Sequence, residues 1–184
     1  MPPHNLSEFL EGINAYIDNP EITIEDLMHY IKGPDFPTGA TIFGTSEIKK
    51  AYKTGRGCVT IRAKCEIEIT KTGREMIVFK EIPYAVNKQN LVKKIEELRL
   101  DGVLDGVSSV EDESGRQEKV RIVIHLKSGA IPKVVLNQLY THTQLQTNFN
   151  VYNLALVNGK PQVLNLKELI HHYVAHRKEV VTRR

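Results

Sequence analysis

From Val59 to Ile69 the chain alternates without a break. Val59, Ile61, Ala63, Cys65, Ile67 and Ile69 are apolar, and Thr60, Arg62, Lys64, Glu66 and Glu68 lie between them. Successive strand side chains point to opposite faces, so this period of two predicts one strand with a buried face. Lys71-Thr72-Gly73-Arg74 reads as a turn, and Met76 to Ile82 returns as the antiparallel partner. Strands are also expected over 105–112 and 119–127, where Val120, Ile122, Ile124 and Leu126 alternate with Arg121, Val123, His125 and Lys127. A hairpin over 151–157 and 161–164 fits around Asn158-Gly159, a pair suited to a tight turn.

Helices flank these strands. Ser7 is the expected cap of the first, with Phe9, Leu10, Ile13, Tyr16 and Ile17 on one face and Asn19-Pro20 ending it. Thr23, with Asp26 three residues on, approximates a capping box for the second, which carries Ile24, Leu27, Met28 and Ile31. Residues 33–45, rich in Gly, Pro and Thr, read as loop. A helix from about Asn87 to Arg99 turns Leu91, Val92, Ile95 and Leu98 inward. Pro132 suits the first turn of another, with Val134, Val135, Leu136 and Leu139. The last helix starts at Asn165 and presents Leu166, Leu169, Ile170, Tyr173, Val174 and Val181. The expected class is α+β, an antiparallel β-sheet with packed helices. The last helix meets no stop signal before Arg184, and the chain starts abruptly at Met1, so a piece cut from a longer protein is expected.

Charge is distributed unevenly. Net charge is only +3, yet residues 1–48 hold eight acidic residues against Lys32, while residues 49–64 hold Lys49, Lys50, Lys53, Arg56, Arg62 and Lys64 and no acid. A local basic run on a near-neutral chain suits a polyanion, and equally the solvated face of a helix and a strand. No run approaches the roughly 18 apolar residues of a membrane span, so no membrane partner is expected. Cys58 and Cys65 lack disulfide or metal-site spacing, which fits a reducing, cytoplasmic setting.

Phosphate loops of the Gly-Lys-Ser/Thr type, Gly-x-Ser-x-Gly elbows and Cys-x-x-Cys pairs do not occur, which argues against a self-contained enzyme. His172 and His176 share a helix face without the Glu of a metalloprotease helix, and read as solvent- or partner-facing. His4 reads as a loop residue. In Tyr52-Lys53-Thr54-Gly55-Arg56-Gly57 two glycines flank an arginine. Glycine lets backbone approach a phosphate, and arginine grips phosphate oxygens in a fork; an ordinary turn is the alternative. Asn87-Lys88 opens a helix whose free N–H groups could hold a phosphate, or Asn87 is simply the cap.

Six motifs in fixed order narrow the field. They are Pro2-Pro3-His4-Asn5-Leu6, Gly33-Pro34-Asp35-Phe36-Pro37-Thr38, Tyr52 to Gly57, Glu81-Ile82-Pro83-Tyr84-Ala85-Val86-Asn87-Lys88, Leu139 to Gln146, and Arg177 to Arg184. The series, spanning essentially the whole chain, resembles the A subunits of bacterial type IIA topoisomerases, those of DNA gyrase more closely than those of topoisomerase IV. The resemblance implies a tower domain over 1–164, with a helical lead-in over 1–32 and an α+β body over 33–164. Residues 165–184 would start a long coiled-coil helix. The tower would support the arms of a bent double-stranded DNA segment. Bending costs several kcal/mol, and backbone contacts along the arms offset it. Lys53, Arg56, Asn87 and Lys88 match the family positions expected to face phosphates, with Arg62 and Lys64 as secondary candidates on the same hairpin. Such contacts are largely sequence-neutral.

Departures limit what this piece could do. The family's intercalating Ile before Pro-Pro-His-Asn is replaced by Met1. The family's catalytic Tyr follows an Arg, and none of the seven tyrosines here does. No catalytic or metal-binding residue is therefore expected, and no cofactor in the chain itself. The parent would supercoil DNA by ATP-dependent strand passage. Its partners would be a second copy of the gyrase A protein and the gyrase B proteins, through which Mg²⁺ and ATP enter. The piece alone lacks most of the family's dimer contacts, so a monomer is expected. The same region of topoisomerase IV, or a scaffold with negligible DNA affinity, is the alternative.

Overall fold

The computed structural model describes every residue except Lys71 and Thr72, so the predicted turn there lies partly outside the described residues. The protein is α+β, as the order of predicted helices and strands implies. Its elements run α1 (Leu6–Asp18), α2 (Ile24–Tyr30), β1 (Thr41–Phe43), α3 (Thr45–Thr54), β2 (Arg56–Arg62), β3 (Lys64–Ile69), β4 (Glu75–Glu81) and α4 (Lys88–Leu100). They continue through β5 (Val107–Asp112), β6 (Ile122–Leu126), α5 (Pro132–His142), β7 (Gln146–Tyr152), β8 (Leu154–Val157), β9 (Lys160–Val163) and α6 (Leu166–Arg183). The strands form sheets of order β1-β2-β7, β3-β4-β6-β5 and β8-β9. Two compact units result: 1–37, 44–59 and 148–184 form one, and 38–43 and 60–147 the other.

The second unit is built on the four-stranded antiparallel sheet. Ile77 and Phe79 of β4 and Ile122 and Ile124 of β6 are sealed from solvent. Leu91 and Ile95 of α4 and Val135 and Leu139 of α5 complete the same cluster. Apolar burial of this kind contributes roughly 25 cal/mol per Å². In the first unit Ile13 and Tyr16 of α1, Leu27 of α2, Ile48, Ala51 and Tyr52 of α3, and Ile170 and Val174 of α6 are buried.

The long alternating run is not one strand. It breaks at Ala63, whose N–H leaves the ladder for the carbonyl of Leu145, 2.8 Å away. β2 joins one sheet and β3 another. β3 is an edge strand with a bulge between Lys64 and Cys65. Toward its far end Ile67 is 45% and Ile69 69% exposed, whereas Val59 and Ile61 of β2 are buried. Both cysteines are free.

Boundaries elsewhere shift for local reasons. Asn5, not Ser7, caps α1: its side-chain oxygen accepts from the N–H groups of Ser7 (3.0 Å) and Glu8 (3.3 Å). Thr23 caps α2 through Asp26 N–H at 3.1 Å. The predicted loop over 33–45 contains β1, and α3 follows at once. The expected strand over 151–157 is two: β7 ends at Tyr152, Asn153 donates its N–H to the Gly55 carbonyl at 2.9 Å, and β8 begins at Leu154. The β8–β9 hairpin turns at Asn158 and Gly159, both with positive φ. The last helix, of 18 residues, opens on a capping box between Asn165 and Glu168. None of the described helices is long and apolar enough to cross a membrane.

Candidate functional site

The basic run divides between the two units. Lys53 and Arg56 fall in the first, and Arg62, Lys64, Asn87 and Lys88 in the second. In the first unit α3 buries Ile48, Ala51 and Tyr52, which turns Lys49, Lys50 and Lys53 to the outside. Gly55 ends the helix in the left-handed conformation, φ 72°, with its N–H on the Ala51 carbonyl at 2.8 Å. Arg56 follows as the first residue of β2. Its guanidinium carbon lies 5.0 Å from the centre of the Tyr152 ring, and Nη2 reaches the Tyr152 hydroxyl at 3.5 Å. A cation over an aromatic face is attracted by the ring quadrupole. Among the described residues no carboxylate pairs with Arg56.

The lysines of α3 are already paired. Lys53 binds Glu25 Oε1 at 2.5 Å, Lys49 reaches the same oxygen at 3.5 Å, and Lys50 lies 3.8 Å from Glu47. The hydrogen bond from Lys53 holds the Glu25 carboxyl down to about 2. The acidic lead and the basic run, distinct in sequence, thus meet in space.

His4 is not a mere loop residue. Its Nε2 sits 2.8 Å from the Tyr52 hydroxyl and its Nδ1 3.0 Å from the Pro2 carbonyl. A carbonyl can only accept, so Nδ1–H donates to it and Nε2 accepts from Tyr52. Burial lowers the His4 imidazole below its ordinary value and raises the Tyr52 hydroxyl. The pair ties Pro2-Pro3-His4 to α3.

In the second unit Arg62 is held on several sides. Its Nε donates to Gln146 Oε1 at 2.5 Å, and its guanidinium lies 3.9 Å from the Phe43 ring centre and 5.2 Å from that of Tyr140. Lys64 lies 3.7 Å from Glu81. Asn87 caps α4 by accepting from Asn90 N–H at 3.1 Å, and the first turn of α4 has no acidic residue. Lys88 Nζ is 3.0 Å from Asp112 Oδ2. Partial burial would raise the Asp112 carboxyl, but the Ser114 hydroxyl and Lys88 outweigh it and leave it lowered. Nothing in the sequence announces Glu25, Glu81, Asp112 and Tyr152 as partners, since each lies 17 or more positions from the cation it meets. Among the described residues no three His, Cys, Asp or Glu side chains are grouped to hold a metal ion.

The family model that describes the A subunits of DNA gyrase and topoisomerase IV matches residues 1–184. The chain belongs to this family. It is 54% identical to the DNA gyrase A protein of Ureaplasma parvum and 52% identical to that of Brachyspira hyodysenteriae, in each case over 100% of this chain and 22% of the relative. It is also 52% identical to the DNA gyrase A protein of Escherichia coli K12, over 100% of this chain and 21% of the relative. The chain therefore spans about a fifth of the length of the curated relatives it matches. Within the family, these relatives are the gyrase members, in line with the closer of the two resemblances.

Proposed function

We propose that this chain is the part of a gyrase A protein that grips the sugar-phosphate backbone of double-stranded DNA, a tower domain over 1–164 with the start of a coiled-coil helix over 165–184. The observation that carries the reading is Arg56. It is an exposed guanidinium backed by Tyr152 and flanked by glycines, and no carboxylate among the described residues takes up its charge. Such a group can receive a phosphate in a bidentate fork without first losing a partner. Lys53, Lys64 and Lys88 would exchange a carboxylate for a phosphate. Exposed ion pairs contribute little to stability, so the exchange is cheap. Asn87 fixes the start of α4, and the free N–H groups of that helix and Lys88 face the same class of ligand. Arg62, already bonded to Gln146 and stacked on Phe43, contributes mainly by holding β1 and β2 together.

In the complete cytoplasmic enzyme, a second gyrase A protein and the gyrase B proteins would supply the remaining machinery. That comprises the tyrosine that exchanges a phosphodiester bond, and the Mg²⁺ and ATP that serve strand passage. None of the seven tyrosines here follows an arginine as the family's catalytic tyrosine does, so this chain alone should neither cleave nor supercoil DNA.

Replacing Arg56 by Ala should weaken binding to a duplex of about 30 base pairs by about tenfold, near 1.4 kcal/mol, equally for two unrelated sequences. Fluorescence anisotropy of the labelled duplexes reads this. Equal affinities for Arg56→Ala and the unaltered chain would remove Arg56 from the interface. A loss confined to one sequence would show base readout instead.

A further inference from the structure

The segment Thr38–Phe43 is the one stretch of the first 59 residues that belongs to the second unit. It enters through two consecutive residues of positive φ, Gly39 at 70° and Ala40 at 77°. Alanine resists that conformation, so something must hold it there. The Glu81 carboxylate does so. Its Oε2 accepts the Ala40 N–H at 2.6 Å, and a β-carbon at Gly39 would collide with the same carboxylate. Its other oxygen, Oε1, lies 3.7 Å from Lys64 Nζ, on the residue paired with Glu81 across β3 and β4. A backbone N–H in a left-handed turn, a neighbour without a side chain and an ammonium group make a cradle for an anionic oxygen. The cradle is half-exposed, with the Lys64 side chain 59% and the Glu81 side chain 34% accessible. Its occupant is a carboxylate of the chain itself.

We propose that the Gly39–Ala40 turn and Lys64 form a phosphate-binding site which Glu81 fills when no nucleic acid is bound, so that Glu81 is a built-in competitor for a phosphodiester. This rests on the reading that the chain holds DNA. Glu81 keeps the strap in place and the lysine neutralised, and a backbone phosphate takes its position by offering the same two contacts. The strained backbone at Ala40 is then explained: it keeps an N–H pointed at the anion whichever anion is present.

Glu81→Gln tests this while preserving the fold, because the amide oxygen can still accept from Ala40. With the competing charge gone and Lys64 released, duplex affinity at low salt should rise about threefold or more, and the salt slope should steepen by about one unit. Adding Lys64→Ala should abolish both gains. The Ala40 amide resonance, followed by heteronuclear NMR, should move on adding duplex. Unchanged affinity and slope in Glu81→Gln, in a chain that does bind DNA, would overturn the proposal and leave Glu81 as a latch for the strap. If the chain binds no duplex at all, the DNA reading fails, and inorganic pyrophosphate becomes the probe. A shift of the Ala40 amide in Glu81→Gln with pyrophosphate upholds a free-phosphate site, and no shift overturns it.

Discussion

Phe79→Ala should destabilise the second unit by about 3–5 kcal/mol, a large share of the roughly 5–15 kcal/mol that typically separates native from unfolded chains. Phe79 lies in β4, an inner strand flanked by β3 and β6, and is 0% exposed. It stands opposite Cys65 on one side and Ile122 on the other. Removing the ring forfeits its transfer free energy and leaves a cavity, and the strands around it are pinned by ladder hydrogen bonds and cannot close in. Ile67→Ala is the matched control. It occupies an odd position of the same alternating run that makes Ile61 a core residue, but lies on the edge strand at 45% exposure. Its cost should stay below about 1 kcal/mol. Urea titrations followed by circular dichroism measure both. Similar costs at the two sites would mean that β3 is not the open edge described above.

The second large effect is expected at Gly55. A β-carbon there would lie 2.5 Å from the Leu164 carbonyl oxygen and 2.8 Å from Val163 Cγ1, in a backbone conformation, φ 72°, that side chains resist. Backbone cannot yield as a side-chain tip does. Gly55→Ala should therefore combine a left-handed penalty of about 1 kcal/mol with an overpacking cost of about 1–3 kcal/mol. Gly129→Ala isolates the first contribution, because φ is 82° there and nothing lies within 4 Å of the added carbon. It should cost only about 1 kcal/mol. Gly55→Ala should also weaken duplex binding, since the displaced turn is the one that carries Arg56. If Gly55→Ala and Gly129→Ala cost the same, the turn does not pack against the chain before α6 as described.

Several features are legible in the sequence because local chemistry decides them. Thr23, Asn87 and Asn165 cap their helices since a side-chain acceptor beside free N–H groups needs no distant partner. Asn158-Gly159 makes its turn for the same kind of reason. Periodicity fails where burial depends on what lies across the sheet. Ile61 and Ile67 look alike along the chain, and only strand order separates them. β7 has the same period of two, with Thr147, Phe149 and Val151 between Gln146, Asn148 and Asn150, but asparagine is depleted in strands and masks the signal. The candidate cations are visible as a run, but their partners are not. Glu25, Glu81 and Asp112 come from other elements, and they turn an apparently free basic patch into one whose turn carries an uncompensated arginine. His4 misleads for the same reason, since nothing near it in sequence announces Tyr52.

The central claim is that the chain holds duplex DNA through phosphate contacts, and its most direct test is the salt dependence of binding. The logarithm of the affinity for a duplex of about 30 base pairs should fall linearly with the logarithm of salt concentration, by about 0.9 for each phosphate contacted. The double variant Arg56→Ala, Lys88→Ala should bind more weakly, with the slope shallower by about two units. A chain that binds no duplex at low salt, or a double variant with the slope of the unaltered chain, would contradict the account.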